Sequence, residues 1–205
     1  MKKLIVIVAS LLVAVSAHAQ FGIMGGITSS RTDYKEAYTD VKNITQYHVG
    51  ITYKFALGRM FAIQPAILYN MKGVKLSELK SVDGLDFKTG YIEVPVQLQV
   101  GFGLGDVARI YGFAEPFIGY AVSNTVSLSG KNLTQGWEDV KSKLEYGVGL
   151  GIGVELIKHV QVSVKYFWNM GEQYGIDLKN YINGAVGTIG SQKASGIAAS
   201  VALLF

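Results

Sequence analysis

From Leu144 to Leu156 every even-numbered residue is apolar: Leu144, Tyr146, Val148, Leu150, Ile152, Val154 and Leu156. The odd positions between them are Glu145, Gly147, Gly149, Gly151, Gly153 and Glu155. After Ile157-Lys158-His159 the alternation resumes, with Val160, Val162, Val164, Tyr166, Trp168 and Met170 set against Gln161, Ser163, Lys165, Phe167 and Asn169. Period two over such a length belongs to β-strands, whose successive side chains point to opposite faces. Glycines and charges cannot fill a dry core, so the apolar face has to look outward. Lipid is the solvent that accepts a continuous apolar exterior, and the pattern therefore specifies a transmembrane β-barrel.

The beginning of the chain points to the same compartment. Lys2 and Lys3 precede an apolar stretch, Leu4 to Val15, and Ala17-His18-Ala19 forms an A-x-A site before Gln20. Residues 1–19 read as a secretory signal peptide and 20–205 as one barrel domain. No later run approaches the roughly 18 apolar residues that a spanning helix needs, so the sheet has to close, because lipid cannot satisfy an open edge. Two of the 19 Lys and Arg residues leave with the leader, against 15 Asp and Glu, and so small an excess is no nucleic-acid footprint. Cysteine is absent, which removes disulfides, cysteine nucleophiles and a lipidated N-terminal cysteine.

Turn signals and alternation place eight strands at about 20–29, 47–57, 60–72, 88–102, 107–122, 142–156, 159–171 and 194–205. Leu57-Gly58-Arg59, Gly103 to Asp106 and Ile157 to His159 are tight turns. The connections 30–46, 72–88, 123–141 and 172–193 are long and polar. Short turns belong in the periplasm and long loops outside the cell, which puts both termini in the periplasm. Asp83-Gly84 favours a type I′ turn and suggests that the third and fourth strands protrude as a hairpin. Tyr53, Phe55, Phe61, Tyr69, Phe102, Tyr120, Tyr166 and Trp168 fall toward strand ends, as interfacial girdles require. Pro65, Pro95 and Pro116 lie inside strands and predict local bulges, since each removes a ladder donor and a barrel has no edge.

The chain resembles the PorT-like outer-membrane β-barrel family of Gram-negative bacteria over essentially its whole mature length. The resemblance rests on Gly22 to Gly26, Gln64 to Tyr69 with Lys72-Gly73, Tyr91-Ile92-Glu93-Val94-Pro95-Val96, Phe113 to Tyr120, and Tyr146 to Glu155. It implies the fold and an outer-membrane location. The member that names the family takes part in protein secretion across that membrane, and this implies an accessory secretion role as an alternative function. Glu115 stands where the family commonly has glycine before the proline, which implies an added inward charge.

An eight-stranded barrel has an interior just wide enough for side chains to fill. Lys54, Glu93, Arg109, Glu115, Glu145, Glu155 and Lys165 face inward, with His48, Gln97, Gln99, Gln161 and Asn169. Three cations then meet four carboxylates, and buried charges must pair. The leading reading is a rigid plug of ion pairs; the second is a gated proton or ion path through the same charges. The glycine run 147–153 lacks the Lys-Ser/Thr ending and following helix of a phosphate loop, and reads as room for Phe113, Phe117 and Phe167. His48, Ser29 and Glu93 can be drawn as a triad for a lipid-modifying enzyme, but no signature supports it. No spacing suits a metal or a cofactor. Tyr34, Tyr38, Trp137, Tyr174 and Tyr181 make the long loops the candidate surface for an extracellular or secretion-system protein partner. Phe205, a terminal aromatic on the last strand, resembles the signal read by the barrel assembly machinery. A general porin is disfavoured, because aqueous channels need about 16 strands. The expected function is thus non-enzymatic, in outer-membrane structure or surface interaction.

Overall fold

The computed structural model describes residues 19–32, 41–76, 85–105, 107–128, 131–133, 143–171, 174–177, 188–192 and 194–205. The alternating segments form β1 (Ala19–Thr32), β2 (Val41–Leu57), β3 (Phe61–Leu76), β4 (Leu85–Leu104), β5 (Ala108–Leu128), β7 (Leu144–Leu156), β8 (Val160–Asn169) and β11 (Ala194–Leu204). Three short strands, β6 (Lys131–Leu133), β9 (Tyr174–Asp177) and β10 (Thr188–Gln192), lie in the connections. Each of the eight long strands pairs antiparallel with its sequence neighbour in the wall, and β1 pairs with β11, so the sheet closes. Closure leaves no unpaired edge, which is what a sheet with an apolar exterior requires.

The faces follow the alternation. On β7 the apolar even positions are outward, and Glu145 and Glu155 are buried. On β2, Tyr47, Val49, Ile51 and Tyr53 are exposed, while His48, Thr52 and Lys54 are buried. On β4, Tyr91, Glu93, Gln97 and Gln99 are buried, with Ile92, Val94, Leu98 and Val100 outside. Aromatic pairs cluster at both ends of the outer face, with ring centroids 4.8 Å apart for Tyr53 and Phe55, 4.7 Å for Tyr166 and Trp168 and 6.3 Å for Tyr47 and Tyr69.

The three prolines correct the expectation of bulges. The β2–β3 ladder skips Tyr53 and Lys54 opposite Pro65 and Gln64. The β3–β4 ladder skips Ala66 and Ile67 opposite Pro95 and Val94, and the β4–β5 ladder skips Val96 and Gln97 opposite Pro116 and Glu115. Each ladder then resumes in unchanged register. Met60 O accepts from Gly101 N at 2.8 Å and Lys143 O from Ala121 N at 2.7 Å, and this parity aims each proline nitrogen at the preceding strand in the wall. A one-residue slip would turn every later side chain to the other face and put Glu93 or Glu115 into lipid. Losing one hydrogen bond per proline is the cheaper solution. Bulges occur instead in β2 between Asn43 and His48, and opposite Gly90 and Tyr91, where Val122 is the extra residue of β5.

The long connections are shorter than the sequence suggests. The spans 30–46 and 72–88 lose residues to β1, β2, β3 and β4, and β3 pairs with β4 out to Leu76 and Leu85 as a protruding hairpin. The spans 123–141 and 172–193 contain the end of β5, β6, and the paired β9 and β10. Beyond the lipid both faces are wet, so binary alternation fades while the backbone ladder continues. Residues 1–18 of the expected leader, Asp83-Gly84, Tyr34, Tyr38, Trp137 and Tyr181 lie outside the described residues.

The β7–β8 turn is strained. Ile157 and Lys158 have φ of 49° and 61°, the left-handed region that L-residues enter at a cost and that two-residue hairpins usually give to Asn-Gly. Ile157 N donates to Val107 O at 2.7 Å, which ties the turn to its neighbour. Replacing the pair by Asn-Gly (Ile157→Asn with Lys158→Gly) is expected to raise stability by about 1–2 kcal/mol, read as a higher urea midpoint in lipid vesicles; an unchanged midpoint would mean that the turn stores no strain.

Candidate functional site

Alternation on eight strands sends the inward charges into one lumen, where they arrange themselves in three tiers. At the end of the tight turns Lys54 Nζ donates to Glu155 Oε2, and Gln161 Nε2 donates to the same oxygen at 2.9 Å. Arg109 Nη1 lies 3.9 Å from Glu155 and donates to Gln99 Oε1 at 3.0 Å, while its Nη2 donates to Met60 O at 3.0 Å. In the middle tier Lys165 donates to Glu115, whose other oxygen accepts from Gln97 Nε2 at 2.8 Å. Gln99 Nε2 joins these two tiers, donating to Gln97 Oε1 at 2.9 Å and to Gln64 Oε1 at 2.8 Å.

The third tier, toward the long connections, centres on Lys72. Its ammonium donates to Glu93 at 2.9 Å and to both oxygens of Glu145 at 3.0 and 3.1 Å. Asn70 Nδ2 donates to Glu93 at 3.0 Å and Asn169 Nδ2 to Glu145 at 2.8 Å. The same ammonium sits 4.7 Å from the Phe117 ring centre, 5.1 Å from Phe167 and 5.6 Å from Tyr91, a cage in which cation–π attraction adds to the ion pairs. Lys72 is 2 % exposed and Glu145 0 %. Charges removed from water this far are tolerated only when paired and hydrogen-bonded.

Lys72 was missing from the charge inventory read off the sequence, which ended the third strand there and began a loop. Among the described residues, four cations, not three, therefore face the four carboxylates Glu93, Glu115, Glu145 and Glu155. The signal was parity: Gln64, Ala66, Leu68 and Asn70 are all buried, and Lys72 is next in that row.

The glycine run makes room for Phe113 and Phe117 as expected and for Tyr111 besides, whereas Phe167 lies against Gly196, where a Cβ would stand 2.9 Å from its Cζ. A Cβ at Gly151 would stand 2.4 Å from Phe113 Cζ, one at Gly147 2.6 Å from Phe117 Cζ, and one at Gly153 2.5 Å from Tyr111 Cζ. These rings fill the space that the glycines leave, so the run is a packing device.

The drawn triad is not assembled. His48 is 3 % exposed, and its ring nitrogens meet Thr28 Oγ1 and Ser200 Oγ, each at 2.9 Å. Ser29 lies on the opposite face of β1 from Thr28, and Glu93 reaches His48 only through Asn70 and Thr28, the latter donating to Asn70 Oδ1 at 3.2 Å. Among the described residues no cluster of His, Cys, Asp and Glu could hold a metal ion. Phe205, proposed as an assembly signal, is exposed on the outer face, and its backbone N donates to Phe21 O at 2.7 Å.

A closed wall with an apolar exterior and a charged interior finds its counterpart in the family model described as "Outer membrane protein beta-barrel domain", which matches residues 15–173. The chain belongs to that family. The match spans well over half of the 205 residues and places this barrel in the outer membrane. Among solved structures, the outer membrane protein OprG from Pseudomonas aeruginosa is 14% identical, with 91% of this chain and 96% of that one covered and a TM-score of 0.50. Neisserial surface protein A is 14% identical over 91% of this chain and 99% of its own, at a TM-score of 0.49. Ail, the attachment invasion locus protein of Yersinia pestis, is 12% identical over 92% and 99%, at 0.43. The likeness to OprG, at 14% identity, concerns the fold alone. No curated protein matches the sequence.

Lys72→Ala removes the one ammonium between Glu93 and Glu145 and is expected to cost about 3–5 kcal/mol. Adding Glu145→Gln to that variant should return part of the loss. Urea titration of the three proteins in vesicles checks this, and a Lys72→Ala midpoint equal to that of the parent would remove Lys72 from the centre of the plug.

Proposed function

We propose that this is a non-enzymatic, non-conducting outer-membrane barrel that acts in membrane structure or surface interaction, of the PorT-like kind that its motifs resemble. The observation that carries the reading is the Lys72 tier, in which one ammonium, two carboxylates and three aromatic rings meet across the lumen. Beneath it, Lys165 with Glu115 and Lys54 with Glu155 repeat the same pairing. Charges that satisfy one another rigidify a barrel and leave no row of free groups to strip water from a passing ion.

In this reading the leader 1–19 is removed, the tight turns face the periplasm, and a protein partner docks on the extracellular side through the long connections 30–46, 72–88, 123–141 and 172–193. Phe205 serves recognition by the barrel assembly machinery. Burial of His48, with both ring nitrogens engaged, argues against a lipid-modifying role, since a catalytic base must reach substrate.

The test is single-channel recording of the refolded protein in planar bilayers, with heat-modifiable gel migration to establish folding. A folded, silent barrel is expected. Steady conductance that changes on Lys165→Ala or Glu145→Ala would make the charges a path and would overturn the proposal.

A further inference from the structure

The plug does not reach the tight-turn end. There the barrel opens into a cavity of about 750 Å³, rimmed by the three tight turns and lined by Lys54, Arg59, Arg109, Lys158, Glu155 and Gln20 among others. Its size falls in the range of pockets for small molecules. Among the described residues four cations line it against one carboxylate. Counting Asp106, which the sequence puts in an adjoining turn, cations still outnumber acids by two.

The imbalance is specific to this end. The tight-turn tier holds Lys54 and Arg109 on the single carboxylate Glu155, the middle tier one cation and one carboxylate, and the Lys72 tier one cation and two carboxylates. Positive charge therefore accumulates toward the vestibule along the barrel axis. Cations that share a semi-enclosed mouth repel one another, and the group that relieves them is an anion.

A second observation concerns how one of these cations is presented. Lys158 sits in the strained β7–β8 turn, at a position where glycine would be easier, and its carbonyl accepts from Gln20 Nε2 at 2.9 Å across the mouth. Backbone strain of this kind collects at ligand clamps and persists where surrounding contacts hold it. Gln20 and Val107, both lining the cavity, hold the backbone of this turn, from which the exposed Lys158 side chain projects.

We infer that the vestibule binds a small polyanion, a solute carrying two or more carboxylate or phosphate groups, with Arg59 and Lys158 at the rim and Lys54 and Arg109 at the floor. Entry of the anion lets Lys54 and Arg109 share it with Glu155, while the plug above remains closed, so the vestibule is a dead-end receptor site.

The probes are pyrophosphate and citrate, titrated calorimetrically into the protein in phosphatidylcholine nanodiscs, which present no anionic lipid. Saturable one-site binding of at least one probe is expected; pyrophosphate alone would assign a phosphate ligand and citrate alone a carboxylate one. Arg59→Gln with Lys158→Gln, both exposed, should weaken it at least roughly tenfold and flatten its salt dependence. Lys143→Gln, the same kind of charge change toward the opposite end, should leave it intact. No saturable binding at millimolar probe, or equal affinity in the Arg59→Gln, Lys158→Gln protein, would overturn the inference.

Discussion

An inward charge in this barrel has lipid behind it and a lumen only eight strands wide before it, so its partner has to be another side chain. That constraint organises the molecule. It favours equal numbers of cations and carboxylates, four of each among the described residues, and it stacks them in tiers wherever the strands bring them level. It also explains why register is kept at the prolines. A hydrogen bond lost in the wall costs far less than turning Glu93 or Glu115 toward hydrocarbon.

Packing obeys the same geometry from the other side. Gly147, Gly151 and Gly153 of β7 are glycines because their cross-strand partners Phe117, Phe113 and Tyr111 on the adjacent β5 lay their rings over them. Of these rings Phe117 forms part of the cage around Lys72, and Tyr111 lies 5.2 Å from the Arg109 guanidinium. Around Lys72, burial of the rings and pairing of the charges are therefore one arrangement.

Much of this was legible in the sequence, since period-two alternation is local. The closed barrel, the outward and inward faces of β2, β4, β7 and β8, and all four lumen carboxylates follow from counting by twos. Lys72 escaped because Gly73 follows it and the apolar row stops there, which looks like a loop from within one strand. Pairing with β2 and β4, which carries β3 on to Leu76, returns it to the lumen. Which charges meet could not be read either. Lys72 and Glu145 are 73 residues apart, and their contact depends on the register of the whole wall. The predicted bulges failed for a related reason: a local rule about proline was overruled by the cost of flipping every residue beyond it.

The polarity of the tiers, positive toward the tight turns and negative toward the long connections, joins the plug and the vestibule in one electrostatic design. Paired charges shut the lumen to water while the vestibule stays open. Acylation of the folded protein in lipid with an amine-reactive reagent, mapped by mass spectrometry, distinguishes the two regions. Rapid modification of Lys158 is expected, with Lys72 and Lys165 protected until the barrel is unfolded. Modification of Lys72 in the folded barrel at the rate of Lys158 would contradict a closed lumen.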